Sequence, residues 1–140
     1  MKYLLDTCLI SELIRKNTEP KIVRWIKTVN EIDLSLSVLT LGEIQKGISK
    51  LQDRVRARKL QSWLDNDLQE RFSGRILLIT PEVCLIWGKI QGKAERAGQR
   101  IPVIDGLIGA TALHYNLTVI TRNTKDVKIT GAPVYNPWMA

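Results

Sequence analysis

Residues 2–14 read KYLLDTCLISELI, and the architecture follows from this stretch. Lys2–Leu5 is a short apolar run that stops at Asp6-Thr7, as a buried strand does. Leu9, Ile10, Leu13 and Ile14 then recur at helical spacing, so a helix follows with almost no loop. The rest of the chain repeats this strand-then-helix opening. Pro20 opens a second helix carrying Ile22, Val23, Trp25, Ile26 and Val29. Ile32–Val38 alternates apolar and polar residues in part and predicts a second strand. Thr40 begins the next helix, a charged helical region covers about Asp53–Phe72, and Gly74 ends it. Ile76–Ile79 is a third strand, and Pro81 starts a helix whose apolar stripe is Val83, Ile86, Trp87 and Ile90. Pro102 starts another, with Ile104, Leu107, Ile108 and Leu113 inside. Leu117–Thr121 is a β-branched strand, and Pro133–Tyr135 is a last strand at an edge. Strands alternating with helices predict an α/β sandwich, a mostly parallel central sheet flanked by helices, as a single domain over residues 1–140.

Composition narrows the function. The 44% hydrophobic and 25% charged content is that of a globular chain able to bury a core without disulfides. Cys8 and Cys84 lie far apart and form no C-x-x-C pair, which predicts buried apolar thiols in a reducing compartment. The run Tyr3-Leu4-Leu5 is broken at once by Asp6, unlike a signal peptide, and no stretch approaches the ~18 apolar residues that span a bilayer. The expected location is cytoplasmic, away from membranes. Twenty-one basic residues against 14 acidic ones give +7, which favours an anionic partner, nucleic acid or an acidic protein, without choosing between them. Six of the basic residues fall between Lys46 and Lys59 with one acid, Asp53, among them. Within that segment Arg54, Arg56, Arg58 and Lys59 are candidate contacts to nucleic-acid phosphates, and Arg122 is another; a solvated helix face is the alternative.

The acids fall at element boundaries. Asp6 follows the first strand, Glu43 sits in the first turn after the second, and Asp105 lies in the first turn entered at Pro102. Asn123 and Asp126 follow the strand ending at Thr121. In a parallel sheet these positions share the carboxyl edge, where ligands bind. Each also has an ordinary structural role open to it. Thr40-Leu41-Gly42-Glu43 fits a capping box, Asp6 and Asp105 suit helix N-termini, and Asn123 suits an N-cap. Together they suggest more, because Asp6 and Asp105 have apolar neighbours and a buried charge is costly unless compensated. A divalent cation relieves both burial and mutual repulsion. An oxygen-only ligand set suits Mg²⁺ or Mn²⁺ rather than zinc or copper. Such an ion polarises a phosphoryl oxygen and lowers the pKa of a water nucleophile.

Other chemistries fit poorly. His114 is the only histidine, which rules out a two-histidine acid–base ribonuclease. Arg15 is one residue too far from Cys8 for a cysteine phosphatase loop, and Asp6-Thr7-Cys8 lacks the second aspartate of an aspartyl-phosphate phosphatase. No G-x-x-x-x-G-K-[ST] or G-x-G-x-x-G is present. The four tryptophans, Trp25, Trp63, Trp87 and Trp138, are expected in the core or an interface.

Leu4-Leu5-Asp6-Thr7 resembles the opening of PIN domains, specifically VapC-type toxins of bacterial toxin–antitoxin pairs. Leu39–Ile48 (LTLGEIQKGI) is similar to that family's second motif, Ile101–Ala112 (IPVIDGLIGATA) to its third and Thr121–Asp126 (TRNTKD) to its fourth. The resemblance runs in order from Lys2 to Pro137. It implies a PIN fold and a Mg²⁺- or Mn²⁺-dependent endoribonuclease with Asp6, Glu43 and Asp105 as its acidic core. It also implies a toxin acting on RNA, often tRNA or rRNA, inhibited by a cognate antitoxin and assembled as a homodimer or larger complex. Many relatives carry aspartate where this chain has Asn123, so either Asn123 is a neutral ligand or Asp126 supplies the fourth carboxylate. A non-catalytic nucleic-acid-binding regulatory module is the alternative function. It would account for the positive charge but gains nothing from acids beside a phosphate site.

Overall fold

A computed structural model describes residues 1–140. Five strands, β1 (Tyr3–Leu5), β2 (Leu34–Ser37), β3 (Ile76–Leu77), β4 (Thr118–Ile120) and β5 (Val134–Tyr135), form one sheet in the order β3-β2-β1-β4-β5. All four pairings are parallel. The helices are α1 (Thr7–Leu13), α2 (Pro20–Thr28), α3 (Val38–Lys50), α4 (Arg54–Ser62), α5 (Gln69–Arg71), α6 (Pro81–Arg96), α7 (Val103–Tyr115) and α8 (Thr124–Ile129). A π-helical stretch, Trp63–Leu68, joins α4 to α5. The chain therefore builds outward from β1 on one side, then crosses to build outward on the other. The crossing places a crevice between the carboxyl ends of β1 and β4, where neighbouring strands lead to opposite sides.

Alternate residues of each strand serve opposite faces, and both faces are covered. Leu5, Leu34, Leu36 and Ile120 join Leu9, Ile10, Ile22, Leu64, Leu68 and Phe72 in one core. Leu4, Val119 and Leu77 join Ile108, Ala112, Leu117 and Val127 in the other. Burying one such Leu, Ile or Val side chain contributes about 1.5–3 kcal/mol, so central strands this short are held mainly by packing.

Helix ends follow their local signals at most positions. Pro20 and Pro81 occupy first turns, and Thr80 caps α6 by accepting from the Val83 N–H at 3.2 Å. Gly74 ends the long helical region in a left-handed conformation, φ +79°, which costs glycine little. Two expectations fail. The third helix begins at Val38, not Thr40: the Ser37 hydroxyl accepts from the Leu39 N–H at 3.1 Å, which moves Glu43 into the second turn. Thr40 caps nothing and is buried with its hydroxyl unpartnered. Leu113 is exposed rather than inside, because α7 presents Gly106, Ile108, Gly109, Ala110 and Ala112 to its neighbours. The small residues bring α7 against α8 so closely that a Cβ on Gly109 would lie 2.6 Å from Thr130 Cβ.

Candidate active site

Asp6 stands where β1 becomes α1. Its N–H donates to the Ile120 carbonyl at 3.0 Å, which sets it beside the end of β4. One carboxylate oxygen accepts from the Thr7 N–H at 2.7 Å, making Asp6 the cap of α1. The other accepts from the Thr121 hydroxyl at 2.7 Å. Capping and site roles thus coincide in one side chain. Glu43 reaches the same place from α3, its Oε1 accepting from the Thr7 hydroxyl at 2.6 Å.

Asp105 arrives from the first turn of α7 and has a different environment. No side-chain capping bond is made at that helix start. Burial, and then the charges of Asp6, Asp126 and Glu43, push its carboxyl up to about 6. Four acids, three at helix starts or first turns and Glu43 in the second turn of α3, far apart in sequence, therefore act on one neighbourhood. Like charges held together without compensation disfavour ionisation, and Asp105 shows it. Asp126 lies in the first turn of α8, where the Asn123 side-chain amide donates to its Oδ2 at 3.4 Å. Asn123 precedes α8 without capping it through its side chain, and its N–H donates to the Thr121 hydroxyl at 3.0 Å.

Three residues of this neighbourhood were not singled out from sequence. Thr7 and Thr121 are the hydroxyl donors that aim Glu43 and Asp6. Cys8, expected among apolar residues, lies with its Sγ 3.6 Å from Asp6 Oδ2 and accepts from the Arg122 N–H at 3.4 Å. Burial, reinforced by the Asp6 charge, pushes its thiol up, so it stays protonated and can donate to the carboxylate. Cys84 is exposed, again against expectation. For Thr7 and Cys8 the local signal was nearness to Asp6, and Thr7 and Thr121 lie within the first and fourth motifs of the resemblance.

The residues fit a hard divalent cation by chemistry. All are oxygen donors, and Asp105 has no protein partner to offset its charge. No three of these side chains are drawn together as a ready-made metal cage.

Elsewhere, Glu12 is buried but occupied: its carboxylate accepts from the Glu19 N–H at 2.8 Å and pairs with Arg15 at 2.9 Å. The Glu19 N–H, and then Arg15, hold its carboxyl below the usual range against the effect of burial. It fastens α1 to the segment leading into α2. His114 is exposed with its ring against Tyr115. Arg122 lies over the Trp138 ring at 5.2 Å, beside the crevice. Of the basic segment, Arg56 and Lys59 face a groove that Thr7 and Glu43 also line, whereas Arg54 and Arg58 do not line it.

A model of the PIN domain matches residues 3–130 of the chain. The chain belongs to the PIN domain family. Over 135 residues it is 34% identical to the toxin FitB of Neisseria gonorrhoeae, covering 96% of this chain and 97% of that one. It is 28% identical to the VapC ribonuclease Y4jK of Sinorhizobium fredii, covering 96% of each. Among solved structures it superimposes on FitAcB of Neisseria gonorrhoeae with a TM-score of 0.93 at 33% identity, covering 99% of both chains. It also matches VapBC2 of Rickettsia felis bound to a promoter DNA fragment, with a TM-score of 0.80 at 25% identity and 97% and 98% coverage. The all-parallel sheet flanked by helices is the PIN fold that the resemblance implies, where the alternation of strands and helices predicted a mostly parallel sheet.

Proposed function

We propose that this PIN domain is a Mg²⁺- or Mn²⁺-dependent endoribonuclease, the toxin of a toxin–antitoxin pair, cleaving RNA phosphodiesters. The observation that carries this is the meeting of Asp6 and Glu43 on Thr7, with Asp105 and Asp126 near enough for their charges to act together. An acid cluster that disfavours its own ionisation suits a site that takes up positive charge. VapC relatives named ribonucleases, and solved toxin–antitoxin neighbours, support the substrate class and an antitoxin partner. No helix is long and apolar enough to cross a membrane. We assign it a homodimer on the strength of the family resemblance, and keep the cytoplasmic location that the sequence leads one to expect.

Asp6, Glu43, Asp105 and Asp126 would hold the metal, with Asn123 adjoining as a neutral donor to Asp126. When bound, a divalent ion polarises a phosphoryl oxygen and makes water a usable nucleophile at neutral pH. The chain's own residues prepare for that. Thr121 and the Thr7 N–H orient Asp6, and the Thr7 hydroxyl orients Glu43. Asp105, with no such partner, is the carboxylate left to move onto an incoming cation or to carry a proton in its absence. Arg122 stands at the crevice as a phosphate contact.

A purely nucleic-acid-binding module would place these acids beside phosphate for no gain. Incubating purified protein with total RNA and mapping the new 5′ ends, with and without EDTA, tests the assignment. Metal-dependent cuts lost in Asp105→Asn are expected; identical cuts in that variant would overturn it.

A further inference from the structure

We propose that a groove running from Glu43 between the end of α1 and the α3–α4 pair is the track for a single RNA strand. This rests on the ribonuclease assignment for the substrate class. The groove is open to solvent, has a volume of about 1030 Å³, and includes Thr7 and Glu43 of the acid site in its lining. Arg15 and Lys16 line one wall, Arg56 and Lys59 the other. Four cations from two separate segments face one space, and the acid among its lining residues, Glu43, belongs to the cleavage site.

That charge balance selects a polyanion. Arg15 pairs with buried Glu12 through one nitrogen at 2.9 Å, yet its side chain is 64% exposed, so the rest of its donor fork is free for phosphate. Lys16, Arg56 and Lys59 form no ion pair. Trp63, half-buried against the core, also lines the groove at the start of the π-helical stretch. Such stretches are rare and cluster at functional sites, and an indole face stacks a base regardless of its identity. Gly47 widens the groove between these walls: a Cβ placed there meets nothing within 4 Å. Phosphates on the four cations, with a base against Trp63, would deliver the strand to the acids.

The rotation of α4 makes the proposal specific. With 3.6 residues per turn, Arg54 and Arg58 lie on the opposite face from Arg56 and Lys59. They belong to the same basic segment but are outside the groove.

The test is fluorescence anisotropy of a labelled, mixed-sequence single-stranded RNA oligonucleotide in EDTA, across a series of KCl concentrations. The double variant Arg56→Gln/Lys59→Gln should flatten log affinity against log salt by about 1.4, from ~0.7 per phosphate contact. Arg54→Gln/Arg58→Gln should leave the slope unchanged. Gly47→Leu keeps every charge, favours the helix and plugs the groove, so it should weaken binding at least tenfold with no loss of thermal stability. Equal effects of the two Arg/Lys pairs, or undiminished binding by Gly47→Leu, would overturn the proposal. So would a groove that binds polyglutamate and not RNA, which would mark it as a site for an acidic protein segment. Because binding is read without metal, these outcomes are independent of whether the protein cleaves.

Discussion

Thr7 donates its hydroxyl to Glu43 at 2.6 Å, joining the first residue of α1 to the second turn of α3 across 36 residues. Its own N–H is capped by Asp6. One threonine therefore touches two of the four acids. Thr7→Val removes the bond to Glu43 and leaves the cap, at a stability cost of about 1 kcal/mol. The freed Glu43 should need several-fold more Mn²⁺ for half-maximal cleavage, and Thr7→Ser should restore it. A Mn²⁺ titration unchanged in Thr7→Val would show that the hydroxyl does not position Glu43.

Asp105 makes a pH prediction for the metal-free protein. Its folded pKa of about 6 lies above its unfolded value of 3.8, so the folded state holds the proton more tightly. That contribution to stability is present below pH 3.8 and is lost as pH rises through 6. Glu12 and Glu31, both held low by hydrogen-bonding partners, run oppositely and lose their contribution only in more acid solution. Asp105→Asn in EDTA should melt a few degrees higher than wild type near neutral pH and within a degree of it near pH 4. Parallel melting curves across the range would show that Asp105 is not under this charge stress.

Metal removal tests the donor chemistry directly. RNA cleavage should stop with EDTA and return with Mg²⁺ or Mn²⁺. His114→Gln should cleave at the wild-type rate, since His114 is exposed in the last turn of α7 whereas Asp105 is in its first. Full activity in EDTA would point instead to metal-free acid–base catalysis.

At the fourth position, Asp126 is among the charges that raise Asp105, whereas Asn123 is exposed and neutral. Asp126→Asn should reduce cleavage at limiting Mn²⁺ by about tenfold and more than Asn123→Ala does. Asn123→Asp should be tolerated or bind Mn²⁺ more tightly. Equal activity of Asp126→Asn and wild type at limiting Mn²⁺ would remove Asp126 from the site.

The α7–α8 contact that sets Asp105 and Asp126 on facing helix starts depends on Gly109. An added methyl would meet Thr130 Oγ1 first and lie 2.6 Å from its Cβ and Cγ2, on a short branched side chain with no flexible end to yield. Gly109→Ala should destabilise the protein by about 1–3 kcal/mol, read from urea unfolding. Thr130→Ser should relieve only part of this, because Cβ stays. Unaltered stability would mean that the two helices are free to separate.

The sequence alone determined the alternation of strands and helices and where the acids fall along it. Those signals are local: apolar runs that stop at Asp6, prolines at 20 and 81, and Gly74 after a long helical region. Local matching also misled where two residues competed for one role. Thr40 satisfies the capping-box pattern, but β2 delivers the chain so that Ser37 reaches the first free N–H groups and Thr40 is buried. Leu113 fits an apolar stripe, yet close approach through Gly106 and Gly109 turns α7's small residues inward. Only the tertiary structure decided that Thr7, Thr121 and Cys8 belong with the acids, because their partners are up to 115 residues away. The same holds for the basic segment: sequence counts six cations, while the rotation of α4 against α3 and the end of α1 admits only Arg56 and Lys59 of the four leading candidates to the groove. Periodicity reports which residues share a helix face; what that face meets depends on contacts made by distant parts of the chain.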